Sequence, residues 1–478
     1  MILHLCVHQT INDMRIQKKV SKNQHAVVIG GSITGLMAAR VLSQYFDQVT
    51  IIEKDKIHDR PESRKGQPQA RHLHGLLARG LQVMTHYFPD LLEALEEGGA
   101  TVNYIGKNMR WFCYGGYRKR INLGHKGAVM SRPFLEWKIR ERVQKIDNIT
   151  FLDEKIVKRL MTDTQSRKVS GVEVISRDQS VPAQLIAANL VVDASGRGSK
   201  TPTWLQEMGY TPPQTSRVTV RVGYASQIYS RNPEEEDWIF VSPNAPEEKR
   251  AGGAIPIEGN RWMVTLGGWA GDHSGADVIS FKAFARSLPA SDVYDVITNN
   301  EPLSDIILHK FPASQRRHYE KLSTFPEGLL VMGDAICSFN PLYGQGMTVG
   351  AVEAFTLDQL LQTRKGKLTG IAKPFFKKIS KVVDIPWRTA VGEDFRFPET
   401  EGKKAFGTRF INAYVEQIHK LSHHDEAVCK AFFMVTHMLK QPISLFHPSI
   451  IWKVVKALTF SMEGKKISEV SQSSFMPS

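Results

Sequence analysis

The sequence has few cysteines and no long hydrophobic run. Four cysteines occur in 478 residues, and no two of them stand in a C-x-x-C spacing. The sequence therefore predicts neither a zinc knuckle nor a dense disulfide framework, and we expect reduced thiols. No stretch approaches about eighteen uncharged apolar residues, and the apolar run at residues 1–7 is short for a signal-peptide core. We expect a cytoplasmic protein that is neither secreted nor membrane-spanning.

Acidic residues are in the minority. The chain has 48 Asp and Glu against 62 Lys and Arg, which leaves a net charge of +14. This balance favours anionic ligands such as a pyrophosphate, an anionic cosubstrate or a membrane surface, and we expect no nucleic-acid partner. The hydrophobic share of 42% is ordinary for a globular chain, and the length suits two interlocked lobes.

A strand-turn-helix-strand pattern begins at residue 25. The run HAVVIG at 25–30 is typical of a buried parallel strand, and a small-residue turn at 30–35 and a helical pattern at 36–45 follow it. A second apolar run, QVTIIE, occupies 48–53. Together these segments predict a βαβ unit of the kind that binds dinucleotides, although a plain strand-turn-helix has the same pattern.

The small residues of the turn each have a physical task in such a unit. Gly30 and Gly31 allow a tight turn, position 32 lets the backbone approach a pyrophosphate, and Gly35 permits close packing of helix on strand. The helix amino terminus supplies free N–H groups for the phosphates. Ser32 stands where a glycine is usual, and Glu53 ends the second strand, where it could accept hydrogen bonds from a ribose. NAD and FAD both fit this fingerprint.

Two later motifs favour FAD. Residues 193–199 (DASGRGS) follow one buried strand, and residues 333–348 (GDAICSFNPLYGQGMT) follow another. With the turn at 30–35, these segments resemble the p-hydroxybenzoate hydroxylase superfamily of FAD-dependent monooxygenases. The stretches 64–74 (RKGQPQARHLH) and 131–135 (SRPFL) are similar to those of the epoxidases of polyether biosynthesis. The resemblance covers roughly residues 25–460.

This resemblance implies positions for the cofactor contacts. Asp334 is expected to bond the ribityl chain, and the loop and helix start at 341–347 to lie under the pyrimidine edge of the flavin. A helix amino terminus there would stabilise the negative charge of reduced flavin. Arg132, at a helix start, is expected near the ribityl or phosphate region, and Arg64 beside the flavin. The predicted cofactor-binding residues are Gly30, Gly31, Ser32, Gly35, Glu53, Arg64, Arg132, Asp193, Gly333, Asp334, Pro341, Gly344, Gly346 and Met347.

The resemblance also implies an activity. It predicts tightly but non-covalently bound FAD, with NAD(P)H and O2 as cosubstrates for hydroxylation or epoxidation of a hydrophobic polyketide, isoprenoid or aromatic substrate. Trp238, Phe240 and Trp269 are candidates for the pocket wall or for core. No catalytic residue is evident, and His72 and His74 lack further ligands for a metal, so we expect none and place them at the flavin pocket.

Three other functions stay open at this point. A flavin-dependent reductase or dehydrogenase acting on unsaturated isoprenoid-like substrates would have the same fold. A flavin halogenase is disfavoured, because the sequence lacks the W-x-W-x-I-P element of those enzymes. A non-catalytic flavin-binding protein would hold flavin that NADPH does not reduce.

The sequence predicts an α/β (α+β) fold. A Rossmann-type FAD-binding domain with a β-meander would be interleaved with a β-sheet substrate lobe and closed by a C-terminal helical cap. The predicted segments are an N-terminal extension at 1–24, the FAD-binding domain at 25–210 and 326–372, the substrate lobe at 211–325 and the helical region at 373–478.

The basic C-terminal region has two interpretations, a helix that binds a membrane surface and a helix that packs on the protein's own core. In the amphipathic segment 450–460, Ile450, Val454 and Leu458 share one face, and Lys453 and Lys456 lie off it. This face could contact anionic lipid as a peripheral membrane helix. We favour a cap helix that packs on its own domain, because this pattern is ordinary in globular proteins.

Overall fold

The structure is a computed structural model that describes residues 24–163, 168–178 and 182–459. The extension predicted at 1–24 lies outside the described residues, except for its last residue. The strands are β1 (His25–Ile29), β2 (Gln48–Ile52), β3 (Thr101–Tyr104), β4 (Met109–Cys113), β5 (Gly116–Tyr117), β6 (Lys126–Val129), β7 (Ile149–Leu152), β8 (Lys155–Asp163), β9 (Lys168–Ser176), β10 (Gln184–Ala187), β11 (Leu190–Asp193), β12 (Thr215–Ser230), β13 (Trp238–Val241), β14 (Arg250–Ile257), β15 (Arg261–Gly268), β16 (Ile307–Arg317), β17 (Leu329–Val331), β18 (Cys337–Ser338) and β19 (Glu401–Gly402).

The α-helices lie between and after these strands. They are α1 (Ile33–Leu42), α2 (Ala78–Tyr87), α3 (Leu91–Glu97), α4 (Arg132–Gln144), α5 (Thr201–Glu207), α6 (Val278–Arg286), α7 (Asp292–Asn299), α8 (Gly346–Thr363), α9 (Ala372–Asp394), α10 (Thr408–Leu421) and α11 (Glu426–Thr436). Residues 448–459 are also helical. None of the helices within the described ranges is long and apolar enough to span a bilayer.

The βαβ unit predicted from the sequence forms the centre of a parallel sheet. Five strands pair in the order β17, β11, β1, β2, β7. Alternate residues of β1 enter two different cores: Ala26 and Val28 pack with α1, α4 and α8, whereas Val27 and Ile29 pack with β8 and β9. The continuous apolar run of β1 follows from this burial on both faces. The Rossmann-type arrangement is confirmed.

An antiparallel meander covers the second face of this sheet. It has the order β10, β9, β8, which confirms the predicted β-meander. Its apolar residues Val157, Val172 and Val174 pack against the parallel sheet. The motif DASG therefore begins at the end of β11, an inner strand of the sheet, where loops meet at the carboxyl edge.

A second, larger sheet forms the other lobe. Its order is β18, β16, β12, β15, β14, β13, β4, β5, with β19 beside β12. Helices α6 and α7 cover one face, and the opposite face looks toward the turn and loops of the first lobe. The segment 25–210 also contributes β4 and β5 to this sheet, because β4 pairs in parallel with β13. The two lobes are thus interleaved along the chain.

The last helices form the predicted cap. Ile418 and Leu421 of α10, Val428 and Phe432 of α11, and Ile450 and Val454 of the 448–459 helix share one small core. Cys429 and Phe433 of α11 join the core of the large sheet. The cap is therefore bound to the sheet lobe by apolar packing.

Candidate flavin site

The turn after β1 requires glycine at two positions. Gly30 has φ +104°, and a Cβ placed there would lie 2.6 Å from the carbonyl oxygen of Ala194. A Cβ on Gly35 would lie 1.8 Å from the carbonyl oxygen of Gly30. The tight turn and the close approach of α1 to β1, which the sequence predicts, are both present. No side chain caps the start of α1, so its N–H groups remain available to a ligand.

Ser32, the irregular residue of the fingerprint, connects this turn to α4. Its hydroxyl donates to Glu136 Oε2 at 2.9 Å and accepts from the Arg132 guanidinium at 3.1 Å. Ser131 begins α4 as an N-cap that accepts from the Phe134 amide. Arg132 thereby stands beside the start of α1, where an anion would meet both the helix terminus and a guanidinium.

Arg64 and Glu53 lie next to the turn, but they bind each other. The Arg64 guanidinium is 2.8 Å from Glu53 Oε2 and 2.5 Å from Glu136 Oε1, and it donates to the Gly31 carbonyl at 3.2 Å. Glu53 also accepts from the amides of Gly31 and Asp55. Two buried carboxylates thus neutralise Arg64, whose role in this geometry is to brace the turn.

Glu136 is a site residue that the sequence reasoning missed. It is buried on α4 and contacts Arg64, Ser32 and Arg140. The signal is the spacing of Arg132, Glu136 and Arg140, which places three charges on one helix face. Charges in this pattern are also typical of a solvated face, so the sequence alone does not single them out.

Asp193 organises the loop that supports the turn. Its carboxylate is fully buried and accepts from the Ser195 amide and the hydroxyls of Ser195, Ser199 and Thr201. Ala194, the next residue, packs against Gly30. The cofactor contact expected of Asp193 stays a prediction, because this carboxylate serves its own loop.

Asp334 lies where the two lobes meet, between β17 of the parallel sheet and β18 of the large sheet. Its side chain reaches solvent, but the protein that surrounds it desolvates the carboxylate and raises its pKa, and the charges of Arg132 and Arg197 oppose that rise. Behind it, Glu353 is fully buried and accepts from the Gly333 amide. Burial raises the pKa of Glu353 to about 8, so this carboxyl is protonated at neutral pH.

The loop after Asp334 leads into a second uncapped helix. Pro341–Tyr343 form a 3-10 turn, Gly344 has φ +66°, and α8 begins at Gly346 without a side-chain cap. A Cβ on Gly346 would contact Asp334 Oδ1 at 3.8 Å, and Met347 follows in the first turn of α8. The start of α8 therefore lies beside the carboxylate of Asp334.

Asp394, at the end of α9, is a second residue that the sequence reasoning missed. Its Oδ1 accepts from Asn340 Nδ2 at 2.8 Å, Tyr343 Oη at 2.9 Å and Trp269 Nε1 at 3.2 Å. Its Oδ2 is buried without a hydrogen-bond partner. No local motif marks this residue, because its partners are more than 50 positions away.

A series of hydrogen-bonded side chains on the large sheet leads to His72. The Leu73 amide donates to Thr265 Oγ1, Thr265 and Ser226 share a hydrogen bond of 2.6 Å, and Ser226 Oγ is 2.7 Å from His72 Nδ1. Each hydroxyl of this series has a hydrogen-bond partner on both sides. Burial lowers the pKa of His72 to about 3, and its ring is neutral.

The expected pocket aromatics lie on this side of the sheet. Trp238 and Phe240 belong to a cluster that includes Leu73, and Trp269 stacks on Phe397 at 5.2 Å. Trp238 and Trp269 are almost fully buried. Trp269 also donates to Asp394, so it connects the sheet lobe to the loop at 340–343.

No family model matches the chain. A curated relative matches most of it. It is Protein Rv3254 of Mycobacterium tuberculosis, which is 35% identical over 386 residues, or 77% of this chain and 80% of that protein. The chain belongs to the Rv3254 family.

Solved flavoproteins share the fold of this Rv3254-family chain. The flavoprotein/dehydrogenase of Cytophaga hutchinsonii has a TM-score of 0.64 at 13% identity over 92% of this chain and 100% of that chain. The flavin-dependent brominase Bmp2 has a TM-score of 0.62 at 14% identity over 91% and 100%. PqsL of Pseudomonas aeruginosa, a probable FAD-dependent monooxygenase, has a TM-score of 0.57 at 16% identity over 79% and 98%. The fold of the FAD-dependent monooxygenase superfamily is confirmed, whereas closeness to the polyether epoxidases stays a prediction.

The residues of the Rv3254-family chain that meet around Arg132 and Asp334 fit FAD. Two uncapped helix starts and Arg132 suit its phosphates and the polar edge of its ring, and Asp334 suits a hydroxyl-bearing chain. Within the described ranges, several buried polar atoms without a hydrogen-bond partner also belong to these segments. They are Arg132 Nε, Gln345 Oε1, Thr348 Oγ1 and Asp394 Oδ2. These atoms are available to hydrogen-bond a polar ligand.

Proposed function

We propose that the chain binds FAD non-covalently between its lobes and uses NAD(P)H and O2 to hydroxylate or epoxidise a hydrophobic small molecule. The observation that carries this proposal is that the starts of α1 and α8, Arg132 and Asp334 lie close together where the lobes meet. The fold of the Rv3254 family supports it.

Each of these groups has a task toward the cofactor. Ser32, Arg132 and the start of α1 would hold the pyrophosphate, and Asp334 would accept from the ribityl hydroxyls. The start of α8 would stabilise negative charge on the pyrimidine edge. Bound FAD would supply electron transfer from the nicotinamide and the activation of O2.

The substrate would lie against the large sheet. Two glycines let loop side chains approach that sheet closely: a Cβ on Gly253 would lie 3.1 Å from Leu73, and one on Gly267 would lie 2.9 Å from Leu342. The neutral ring of His72 adds no charge to this wall. A wall of apolar side chains and neutral polar groups favours a hydrophobic substrate and excludes water from the reacting atoms.

A flavin-dependent reductase is the alternative. The similarity of fold to a flavoprotein/dehydrogenase supports this alternative. The fold similarity to halogenases is offset by the absence of the W-x-W-x-I-P element from the sequence.

Purified full-length protein tests this proposal. We expect stoichiometric FAD, NAD(P)H oxidation that depends on O2, and incorporation of oxygen from isotopically labelled O2 into an alkene or aromatic substrate. Asp334→Asn should weaken FAD binding at least about tenfold through loss of a charge-assisted hydrogen bond. Asp305→Asn, on an exposed loop of the sheet lobe, should bind FAD like the wild type. Substrate turnover without O2 would instead establish the reductase, and absence of FAD would overturn both.

A further inference from the structure

Helix α10 carries an apolar stripe that extends beyond its own core. Tyr414, Ile418 and Leu421 pack against α11 and the 448–459 helix. One turn earlier on the same stripe, Phe410 is 70% exposed and Ile411 is 42% exposed. The first part of this helix therefore presents apolar side chains that no described element covers.

The 448–459 helix is apolar on two sides. Ile450 and Val454 enter the small core of the cap, as the sequence predicts for a cap helix. Ile451, Trp452, Val455 and Leu458 point away from that core, and Trp452 is 62% exposed. Leu458, which the sequence groups with Ile450 and Val454, thus belongs to the outer side. A helix that only caps a domain needs no second apolar side.

The same region is basic. Residues 403–459 contain eight Lys and Arg against three Asp and Glu. Each of the three acids pairs with a lysine: Glu416 with Lys420, Asp425 with Lys453, and Glu426 with Lys119. The ammonium of Lys456 lies 5.1 Å from the centre of the Trp452 ring. Exposed apolar side chains are therefore interspersed with cationic ones.

We propose that the outer side of the 448–459 helix, defined as Ile451, Trp452, Val455 and Leu458, docks on an anionic lipid surface. A helix with apolar side chains and flanking lysines lies in the plane of the membrane interface, with its apolar side at the level of the acyl chains. Tryptophan suits that depth because its ring is apolar and its N–H is polar. Two copies of the chain would instead bring like charges together on this face. The proposal does not depend on the proposed oxidation chemistry.

Sedimentation of the full-length protein with lipid vesicles tests the docking. We expect binding to vesicles of phosphatidylcholine mixed with phosphatidylglycerol, and little binding to phosphatidylcholine alone. Lys456→Gln should weaken the binding about fivefold, since each basic residue near such a surface contributes about that factor. The double variant Trp452→Ser and Val455→Ser should lose most of it. Ile279→Ser removes an apolar side chain on α6 that is even more exposed, and this variant should bind like the wild type.

A labelled variant distinguishes lipid from other occupants of the face. Val455→Cys in a Cys6→Ser background should react with an environment-sensitive thiol dye, because the cysteines of the described residues are buried. The dye emission should shift to the blue with anionic vesicles. An unreactive Cys at 455 would show that another part of the chain covers the face and would overturn the proposal. The proposal also fails if the wild-type protein does not bind anionic vesicles, or if the outer-face variants only dissociate a dimer.

Discussion

At the residue scale, Gly35 shows how little space the turn allows. Gly35→Ala would place a methyl group against the Gly30 carbonyl, which would force α1 away from β1. We expect a loss of about 3 kcal/mol in unfolding free energy and loss of FAD binding. Denaturant unfolding and flavin fluorescence would measure both effects. Gly198→Ala is the matched control, because a Cβ there meets nothing within 4 Å. Wild-type stability and FAD content in Gly35→Ala would contradict the geometry of the turn.

Asp394 is the residue whose protonation should be visible in the stability of the protein. Burial raises its pKa to about 6 from 3.8, the hydrogen bonds from Asn340, Tyr343 and Trp269 oppose the rise, and the charge of Glu393 adds to it. The folded state keeps this proton up to about pH 6, whereas the unfolded chain releases it near pH 4. Stability contributed by this group is therefore present below pH 4 and is lost as the pH rises through 6.

The substitution Asp394→Asn should remove the loss of folding stability that occurs as the pH rises through 6. Relative to the wild type, the variant should gain up to about 3 kcal/mol of unfolding free energy between pH 4 and pH 7, because about two pKa units are involved. Urea unfolding across this pH range measures the difference without any cofactor. If the unfolding free energies of the two proteins change in parallel with pH, Asp394 does not titrate in this range.

At the element scale, Arg64 links the end of β2 to α4 through its ion pairs with Glu53 and Glu136. This link changes the effect that we expect from a substitution of Glu53. From the sequence alone, Glu53→Ala is expected to weaken FAD binding without unfolding. In the structure Glu53 holds the buried Arg64, so its removal leaves that cation with one carboxylate fewer. We expect Glu53→Ala to cost about 3 kcal/mol of unfolding free energy as well.

An exposed pair in the same loop provides the comparison. Glu62 pairs with Arg60 near the surface, so Glu62→Ala should cost well under about 1 kcal/mol. Both variants can be followed by chemical denaturation with FAD titration in parallel. If the two substitutions cost the same, the buried network around Arg64 has no special part in stability.

At the scale of the whole molecule, the site draws on distant segments. The start of α1, Arg132 of α4, Asp334 and the start of α8 lie close together, and Asp394 at the end of α9 connects the large sheet to the loop at 340–343. FAD should therefore stabilise both lobes together. At a free concentration about hundredfold above its Kd, a ligand adds about 2.7 kcal/mol to the folded state.

Scanning calorimetry with and without FAD checks this prediction. We expect one transition that moves to higher temperature as FAD is added, and no movement in Gly35→Ala. Two transitions of which only one moves would mean that the lobes unfold independently and that the cap is not coupled to the site.

The sequence by itself determined the elements that local patterns encode. The apolar runs of β1 and β2, the glycines at 30 and 35 and the helix after Gly346 depend on neighbours within about thirty positions, so spacing and residue type were sufficient to predict them. Tertiary structure decided the partners of charged and polar side chains. Arg64 pairs with Glu53 and Glu136, and Asp394 joins Asn340 and Trp269, across separations that carry no periodic signal. Burial then set which of these groups keep a proton, because only the folded chain removes them from water.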